Sequence, residues 1–264
     1  MQTNSAPSFW QSLAIQRQVL YALMMREVIT RFGRENLGVL WLVGEPMLFT
    51  LGVTTLWTAA GLSHGSGLPI VAFAVTGYSS VLMWRNSAGK CADGIESNKT
   101  LLYHRAVHPI DVLLARIVLE LSGATASFVV LSTLWVFLGW MQPPVDLAFV
   151  VGGWLMLAWF GASLALLVGG GCAFSNVVHR LWHPISYLLF PLSGAAFMVE
   201  WLPARLQRVV LLLPMVHGVE LIRQGFFGNV VRTHYDIAYM ALCCGILSLA
   251  GLYVVHEATR RLDL

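Results

Sequence analysis

The sequence predicts an all-α integral membrane protein of about six transmembrane helices. Three observations carry the prediction: 57% of the 264 residues are hydrophobic, only 11% are charged, and the basic residues are distributed unevenly about the apolar segments. A soluble domain has roughly 25% charged residues, so this chain has too few to cover a water-facing surface. Ten tryptophans fit a protein with two membrane–water interfaces, where this side chain is enriched.

Six apolar segments are candidates for crossing the bilayer, since a spanning helix needs about 20 apolar residues. They are 37–60, 69–84, 109–140, 147–174, 184–201 and 237–256. Residues 1–36 are predicted to form a cytoplasmic interfacial helix whose arginines lie among lipid headgroups. Residues 202–236 contain no run long enough to span, and we expect short outer helices there that either re-enter the membrane or lie on its surface.

The basic residues predict the orientation, because cytoplasmic segments carry an excess of lysine and arginine. With the N-terminus inside, twelve of the sixteen are cytoplasmic and the loops 61–68 and 141–146 hold none. The twelve are Arg17, Arg26, Arg31, Arg34, Arg85, Lys90, Lys99, Arg105, Arg116, Arg180, Arg260 and Arg261; the outer four are Arg205, Arg208, Arg223 and Arg232. Both termini are therefore predicted to be cytoplasmic.

Motifs of catalytic or nucleotide-binding chemistry are absent from the sequence. It contains no GxxxxGK[ST] phosphate loop, no HExxH or GxSxG motif and no Cys/His cluster with metal-ligand spacing. We therefore expect no catalytic residue, no metal site and no cofactor in this chain. If it works in ATP-driven transport, the ATPase must be a separate chain.

Three stretches together resemble the membrane subunit of ABC-2 type exporters, specifically the capsular polysaccharide export permease family. The first is MREVITRFGR with LGVLW and EP, over 25–46; the second is GIESN, YHR, PID and AR, over 94–116; the third is LPMVHGVELIR, over 213–223. They occur in the family's order. One departure is Leu213, where the family commonly has Asn before the proline.

The resemblance implies a transport subunit that is not itself an enzyme. It implies a homodimer bound to two copies of an ATP-binding subunit, which would bind the ATP and Mg. The substrate would be a lipid-linked polysaccharide leaving the cytoplasm across a bacterial inner membrane. Periplasmic and outer-membrane export components would be further partners, and no nucleic acid is expected.

The resemblance also assigns the cytoplasmic segment 87–105 as the coupling segment that docks on the ATPase. Its residues in this role are Asp93, Gly94, Ile95, Glu96 and Asn98. The two acids would pair with basic groups across that contact. The residues alone support only a solvated polar loop, so the coupling role depends on the resemblance.

Arginine binds phosphate through a planar fork of donors, so Arg26, Arg31 and Arg34 are candidates to bind the anionic lipid end of the substrate. The alternative is ordinary positive-inside anchoring.

Other candidates follow from the resemblance and from helical spacing. Family members line the channel with their first and fifth helices, which favours Trp57, Tyr187 and Phe190 as channel-lining residues. Glu220 and Arg223 are three apart, so they can pair on one helix face as an outer gate or a structural pair.

Other functions remain open at this point. The same fold exports O-antigen, teichoic acid or small lipophilic compounds. A membrane-embedded lipid- or glycan-processing enzyme would need acids or histidines gathered at one interface, and the eight histidines are instead scattered along the chain. A channel would need a filter-like loop, and the sequence shows none.

Overall fold

The computed structural model describes residues 9–32, 38–60, 68–102 and 107–261, and every regular element within them is a helix, which confirms the all-α class. The α-helices are α1 (Phe9–Phe32), α2 (Gly38–Ala59), α3 (Ile70–Ala92), α4 (Lys99–Leu102), α5 (Pro109–Phe137), α6 (Leu147–Phe174), α7 (Asn176–Leu192), α8 (Ala204–Val210), α9 (Pro214–Phe227) and α10 (Ile237–Arg261). Single 3-10 turns occur at Glu96–Asn98, Val199–Trp201 and Gly228–Val230.

Among the described residues, three helices are long and apolar enough to cross a membrane: α5, α6 and α10. The pair α8 and α9 bends by 107° at its break and would make a fourth span if it counts as one crossing. Helix α7 has only 17 residues and contains Pro184 and Pro191. The structure is thus a helical membrane protein with three or four spans of full length and apolarity.

Helices α3 and α6 form the centre of the bundle. Almost the whole of α3 is buried, and Trp84 is fully enclosed. Gly161 of α6 permits the close approach of the two helices, because a Cβ there would lie 3.0 Å from the Cα of Trp84. Gly169 lies equally close to the end of α3, where a Cβ would come within 3.0 Å of the Cys91 carbonyl oxygen. Gly161, Ala165 and Gly169 repeat at four-residue spacing in α6, and small residues at this spacing serve helix packing.

Capping side chains fix the beginnings of the long helices. The Asp146 carboxylate accepts hydrogen bonds from the Ala148 and Phe149 backbone at 2.8 and 3.4 Å, so α6 begins at Leu147. The His108 backbone N–H donates to the Asp111 carboxylate at 3.0 Å, and Pro109 occupies the first helical position of α5. Both starts coincide with the predicted segments, because orphan backbone donors at a helix N-terminus need such acceptors.

The largest differences in extent from the predicted segments are in two helices, while α10 continues past 256 to Arg261 and α5 ends at Phe137 before 140. Helix α3 continues beyond Trp84, the end of segment 69–84, to Ala92, because its polar residues Arg85 and Lys90 line a cleft between helices. Helix α7 occupies 176–192 where the prediction was 184–201. The Ser175 hydroxyl caps it by accepting from the Val177 N–H at 3.2 Å, so the helix begins earlier.

The bundle has two distinct ends. The Lys90 end, as we call it, joins the last turns of α3, α6 and α10 to the first turns of α5 and α7: Arg116 of α5 bonds the Lys90 carbonyl, and Gly170 packs on Val255. The Glu220 end lies opposite and contains α8, α9 and the first turns of α3, α6 and α10.

Candidate functional site

A cleft of about 410 Å³ opens between α2, α3 and α7 towards the Lys90 end. Because the lining polar groups come from three helices, the cleft is a property of the packed bundle. Its lining residues are Glu45, Pro46 and Phe49 of α2, Leu82, Arg85, Asn86, Gly89 and Lys90 of α3 with Asp93 just beyond it, and Trp182, His183 and Ser186 of α7.

A row of aromatic rings continues from this cleft towards the Glu220 end. Tyr78 is the centre, with its ring centroid 6.0 Å from Phe49, 5.7 Å from Phe190 and 5.5 Å from Trp57. The row continues through further ring contacts, 6.1 Å between Trp57 and Phe73 and 5.2 Å between Phe73 and Trp201. We call these six residues, Phe49, Trp57, Phe73, Tyr78, Phe190 and Trp201, the aromatic row.

The three predicted channel-lining residues lie along this row. Trp57 and Phe190 are members of it. Tyr187 lies at the cleft end, where the Arg85 guanidinium is 4.6 Å from the Tyr187 ring centroid and 5.7 Å from that of Phe190. The structure therefore brings these residues together on one side of α2, α3 and α7; their contact with a substrate stays a prediction.

The predicted coupling segment folds against the body of the protein. The Asn98 amide donates to the Gly94 carbonyl at 2.8 Å, and its oxygen accepts from Arg26 of α1 at 2.7 Å. Asn98 and Ile95 are buried, whereas Glu96 is exposed and pairs with Lys99 at 2.6 Å. The segment thus has an anchored inner side and an outer side that carries charge.

Asp93, the first acid of this segment, is directed at a neighbouring helix. Its carboxylate lies 2.7 Å from the Nε2 of His179 in the first turn of α7. The contact ties the end of α3 to α7, so an ATPase contact through Asp93 would have to share this carboxylate.

Arg116 of α5 holds the coupling segment against α5, a role that the sequence did not indicate. Its guanidinium donates to the Lys90 carbonyl at 2.7 Å and to the Ser97 hydroxyl at 2.8 Å, while Nε lies 3.0 Å from the Glu27 carboxylate. These partners are 19 to 89 positions away along the chain, so helical spacing carries no signal for them. Both charged side chains are nearly buried, at 9% and 13% exposure.

The three arginines predicted to bind the lipid phosphate differ in where the structure places them. Arg26 is half-buried and bonds Asn98, so it links α1 to the coupling segment. Arg31 lies in the last turn of α1, and Arg34 falls outside the described residues. A phosphate role for the three residues stays a prediction.

Glu220 and Arg223 of α9 form a buried clamp at the opposite end. Arg223 donates to the carbonyls of Phe197 and Ala195 at 2.6 and 2.9 Å and lies 4.0 Å above the Phe73 ring. Glu220 accepts from the backbone of Val199 and His234 at 3.2 and 3.0 Å. Their own charged atoms are 4.0 Å apart, so backbone groups of the flanking segments are their main partners.

Two histidines, His217 and His234, form further hydrogen bonds at the Glu220 end. His217 is buried and bridges two segments, since its Nδ1 accepts from the Asp236 N–H at 2.9 Å and its Nε2 then donates to the Leu211 carbonyl at 2.8 Å. His234 lies 2.6 Å from the Glu200 carboxylate, and this hydrogen bond lowers the pKa of Glu200. Within the described part of the chain, no three His, Cys, Asp or Glu side chains are grouped to hold a metal ion.

The sequence matches the family model described as ABC-2 type transporter over residues 18–227, which is more than half of the chain. The chain belongs to this family. It is 41% identical to the capsule polysaccharide export inner-membrane protein CtrC of Neisseria meningitidis serogroup B over 97% of both chains. It is 37% identical to BexB of Haemophilus influenzae, which has the same descriptive name, over 100% of this chain and 99% of the relative.

A more distant match falls in the same group of transport proteins. The polysialic acid transport protein KpsM of Escherichia coli is 27% identical over 90% of this chain and 92% of its own length. These relatives are named as export or transport proteins, not as enzymes. The matches confirm the family resemblance that the three sequence stretches indicated.

The sequence also left the cleft unrecognised. Glu45 and Arg85 stand out as charged residues within largely apolar stretches, and such residues are functional candidates. Their common cleft became visible only once α2, α3 and α7 were packed together, because the two lie forty positions apart in the chain.

Proposed function

We propose that this chain is the transmembrane subunit of an ATP-driven transporter that exports a lipid-linked capsular polysaccharide from the cytoplasm across the inner membrane. The observation that carries the proposal is 41% identity with a capsule polysaccharide export inner-membrane protein over 97% of both chains. Two copies of the chain work with two copies of an ATP-binding subunit, which holds the ATP and Mg. Periplasmic and outer-membrane components carry the glycan onward.

The architecture in this proposal has six crossings, made by α2, α3, α5, α6, α7 and α10, with both termini cytoplasmic. Helix α1 lies in the inner interface, and α8 with α9 forms the outer re-entrant element. The positions of Lys90, Arg116 and Arg261 at one end of the bundle support this orientation, since basic residues favour the cytoplasmic side. The Lys90 end is then cytoplasmic.

The site geometry supports a division of labour within the subunit. The exposed side of the coupling segment, at Glu96, faces the ATPase, and Arg26 and Arg116 hold the segment on the helices that must move. The aromatic row offers flat ring faces along the path between the two ends. Sugar rings stack their C–H faces on such surfaces because the ring face is apolar and electron-rich.

Cysteine labelling tests the orientation. We expect a cysteine at Gln142 to react with a membrane-impermeant maleimide in intact spheroplasts, and one at Thr100 to react only after permeabilisation. Both positions are exposed in the structure, whereas Asn98 is buried and unsuitable as a labelling site. The parent chain, with cysteines at 91, 172, 243 and 244, provides the background. External labelling at Thr100 would refute the proposed orientation.

Reconstitution of export tests the function. In a host that lacks its own capsule-export permease, we expect this chain and its ATP-binding partner to restore surface polysaccharide and to co-purify as one complex. Replacing the phosphate-loop lysine of the partner should abolish export while the complex still forms. Intracellular retention of polysaccharide with an intact complex would refute the capsular substrate. Export of a different glycan, identified by composition analysis, would assign the chain to another branch of the family.

A further inference from the structure

The cleft contains two cations whose charged groups are not neutralised by the protein. Within the described part of the chain, the Arg85 guanidinium forms no hydrogen bond or ion pair and lies over the rings of Tyr187 and Phe190. The Lys90 ammonium likewise has no partner, since only its backbone carbonyl is engaged, by Arg116. Both side chains are half-buried, and a charge that is partly withdrawn from water is stabilised when an opposite charge pairs with it.

The acidic groups of the cleft do not balance these cations. Asp93 is already bonded to His179 at 2.7 Å. Glu45 of α2 lines the cleft without any pairing to Arg85 or Lys90. Two cations therefore face one carboxylate that is not already engaged, and the Asn86 amide adds a neutral donor and acceptor beside them.

This donor set suits a phosphate group. A guanidinium presents several N–H donors in a plane that matches phosphate oxygens, and an ammonium adds a compact point charge. The Arg85 guanidinium lies 4.6 and 5.7 Å from the ring centroids of Tyr187 and Phe190, within the range of cation–π attraction. These contacts use none of its N–H donors, and no acceptor among the described residues bonds it, so the donors are open to an oxyanion.

The aromatic row begins where the cleft ends. Phe49 lines the cleft and is also a member of the row, 6.0 Å from Tyr78. A molecule whose phosphate lies at Arg85 and Lys90 would thus place its attached sugars against the first rings of the row. The order, cations first and rings next, matches a phosphate that joins a lipid to a glycan.

We propose that Arg85 and Lys90 bind the phosphate group of the exported lipid-linked glycan in this cleft, as the cytoplasmic loading site of the transporter. The ligand assignment rests on the proposed function, but the anion site itself does not. Glu45 opposes the anion and keeps the affinity low enough for release into the path beyond.

Binding to the purified complex of this chain with its ATP-binding partner tests the site. The probes are dioctanoyl phosphatidic acid, its zwitterionic analogue dioctanoyl phosphatidylcholine, and inorganic phosphate, measured by isothermal titration. We expect the anionic lipid to bind, the zwitterionic lipid not to bind and the Arg85→Gln/Lys90→Gln variant to bind at least about tenfold more weakly. We expect Glu45→Gln to bind more tightly, because it removes the opposing charge.

Two further variants separate recognition from general charge and from misfolding. Arg85→Lys keeps the charge and loses the fork, so we expect weakened binding by a protein that still elutes as the intact complex. Arg260→Gln removes one exposed charge from the last turn of α10, outside the cleft, and should bind as the parent does.

Unchanged phosphatidic acid affinity in the double variant would overturn the site. Saturable binding of inorganic phosphate with none of the anionic lipid would overturn the lipid assignment. The proposed function fails separately, if the parent complex binds the probe yet exports no polysaccharide.

Discussion

Replacing Arg223 by methionine is expected to lower the free energy of unfolding by about 3–5 kcal/mol, because the change breaks a fully buried polar clamp. The carbonyls of Ala195 and Phe197 would lose their donors, and Glu220 would remain as a buried carboxylate without its neighbouring cation. A buried group left without its partner costs its full desolvation penalty. We expect the apparent melting temperature of the detergent-purified protein to fall by about 10 °C.

Matched variants separate the clamp from a loss of charge. Arg205→Met removes an exposed charge from α8 at the same end of the bundle and should leave the melting temperature unchanged. Arg223→Met/Glu220→Gln should recover part of the loss, because the stranded carboxylate becomes a neutral amide. Equal stability of Arg223→Met and the parent would show that the 193–201 segment does not depend on the clamp.

The sequence predicted best those helices that are apolar along their whole length. Helix α6 has the predicted bounds 147–174, because Asp146 caps its start and a run of small and apolar residues extends without a break. Helix α5 begins at the predicted Pro109. For a helix that is apolar throughout, hydropathy along the sequence is sufficient to locate the helix.

The same reasoning misplaced the bounds of two helices that contain polar residues, α7 and α3. The prediction placed the start of segment 184–201 at Pro184, because proline suits the first turn of a helix. In the structure Pro184 lies within α7, and Ser175 caps the start of the helix. Segment 69–84 ended at the first charge, although α3 continues as a helix through Arg85 and Lys90. Both errors arise because a polar residue on a helix that lines a cleft does not interrupt the helix.

The site was predictable only where spacing along one helix decides the contacts. The three-residue spacing indicated proximity of Glu220 and Arg223, and the structure places them together, 4.0 Å apart. Their stronger contacts are with backbone groups of segments 14 to 28 positions away, which spacing cannot reveal. Arg26 is similar, because its partner Asn98 lies 72 positions further along the chain.

Replacing Arg116 by leucine is expected to uncouple ATP hydrolysis from export. The side chain joins α1, the end of α3 and the coupling segment to α5 through Glu27, the Lys90 carbonyl and Ser97. Without it, the segment that we propose faces the ATPase loses its side-chain bond to α5, although its bonds to Arg26 of α1 and His179 of α7 remain. We expect the amount of polysaccharide exported per ATP hydrolysed to fall at least about tenfold, since the lost charge-assisted bonds are worth about 1.5–3 kcal/mol each.

Amide hydrogen exchange distinguishes this positioning role from general destabilisation. In the Arg116→Leu complex, we expect faster exchange confined to residues 93–98 and the last turn of α3, with the rest of the bundle protected as in the parent. Ser97→Ala removes one of the three contacts and should lower the export ratio only slightly. Arg260→Gln, whose pair with Glu257 is exposed, should leave both measurements unchanged. If Arg116→Leu exports normally for each ATP hydrolysed, Arg116 does not transmit the movement of the segment to the helices. The bond between Arg26 and Asn98, which joins α1 to the segment, is then the next contact to remove.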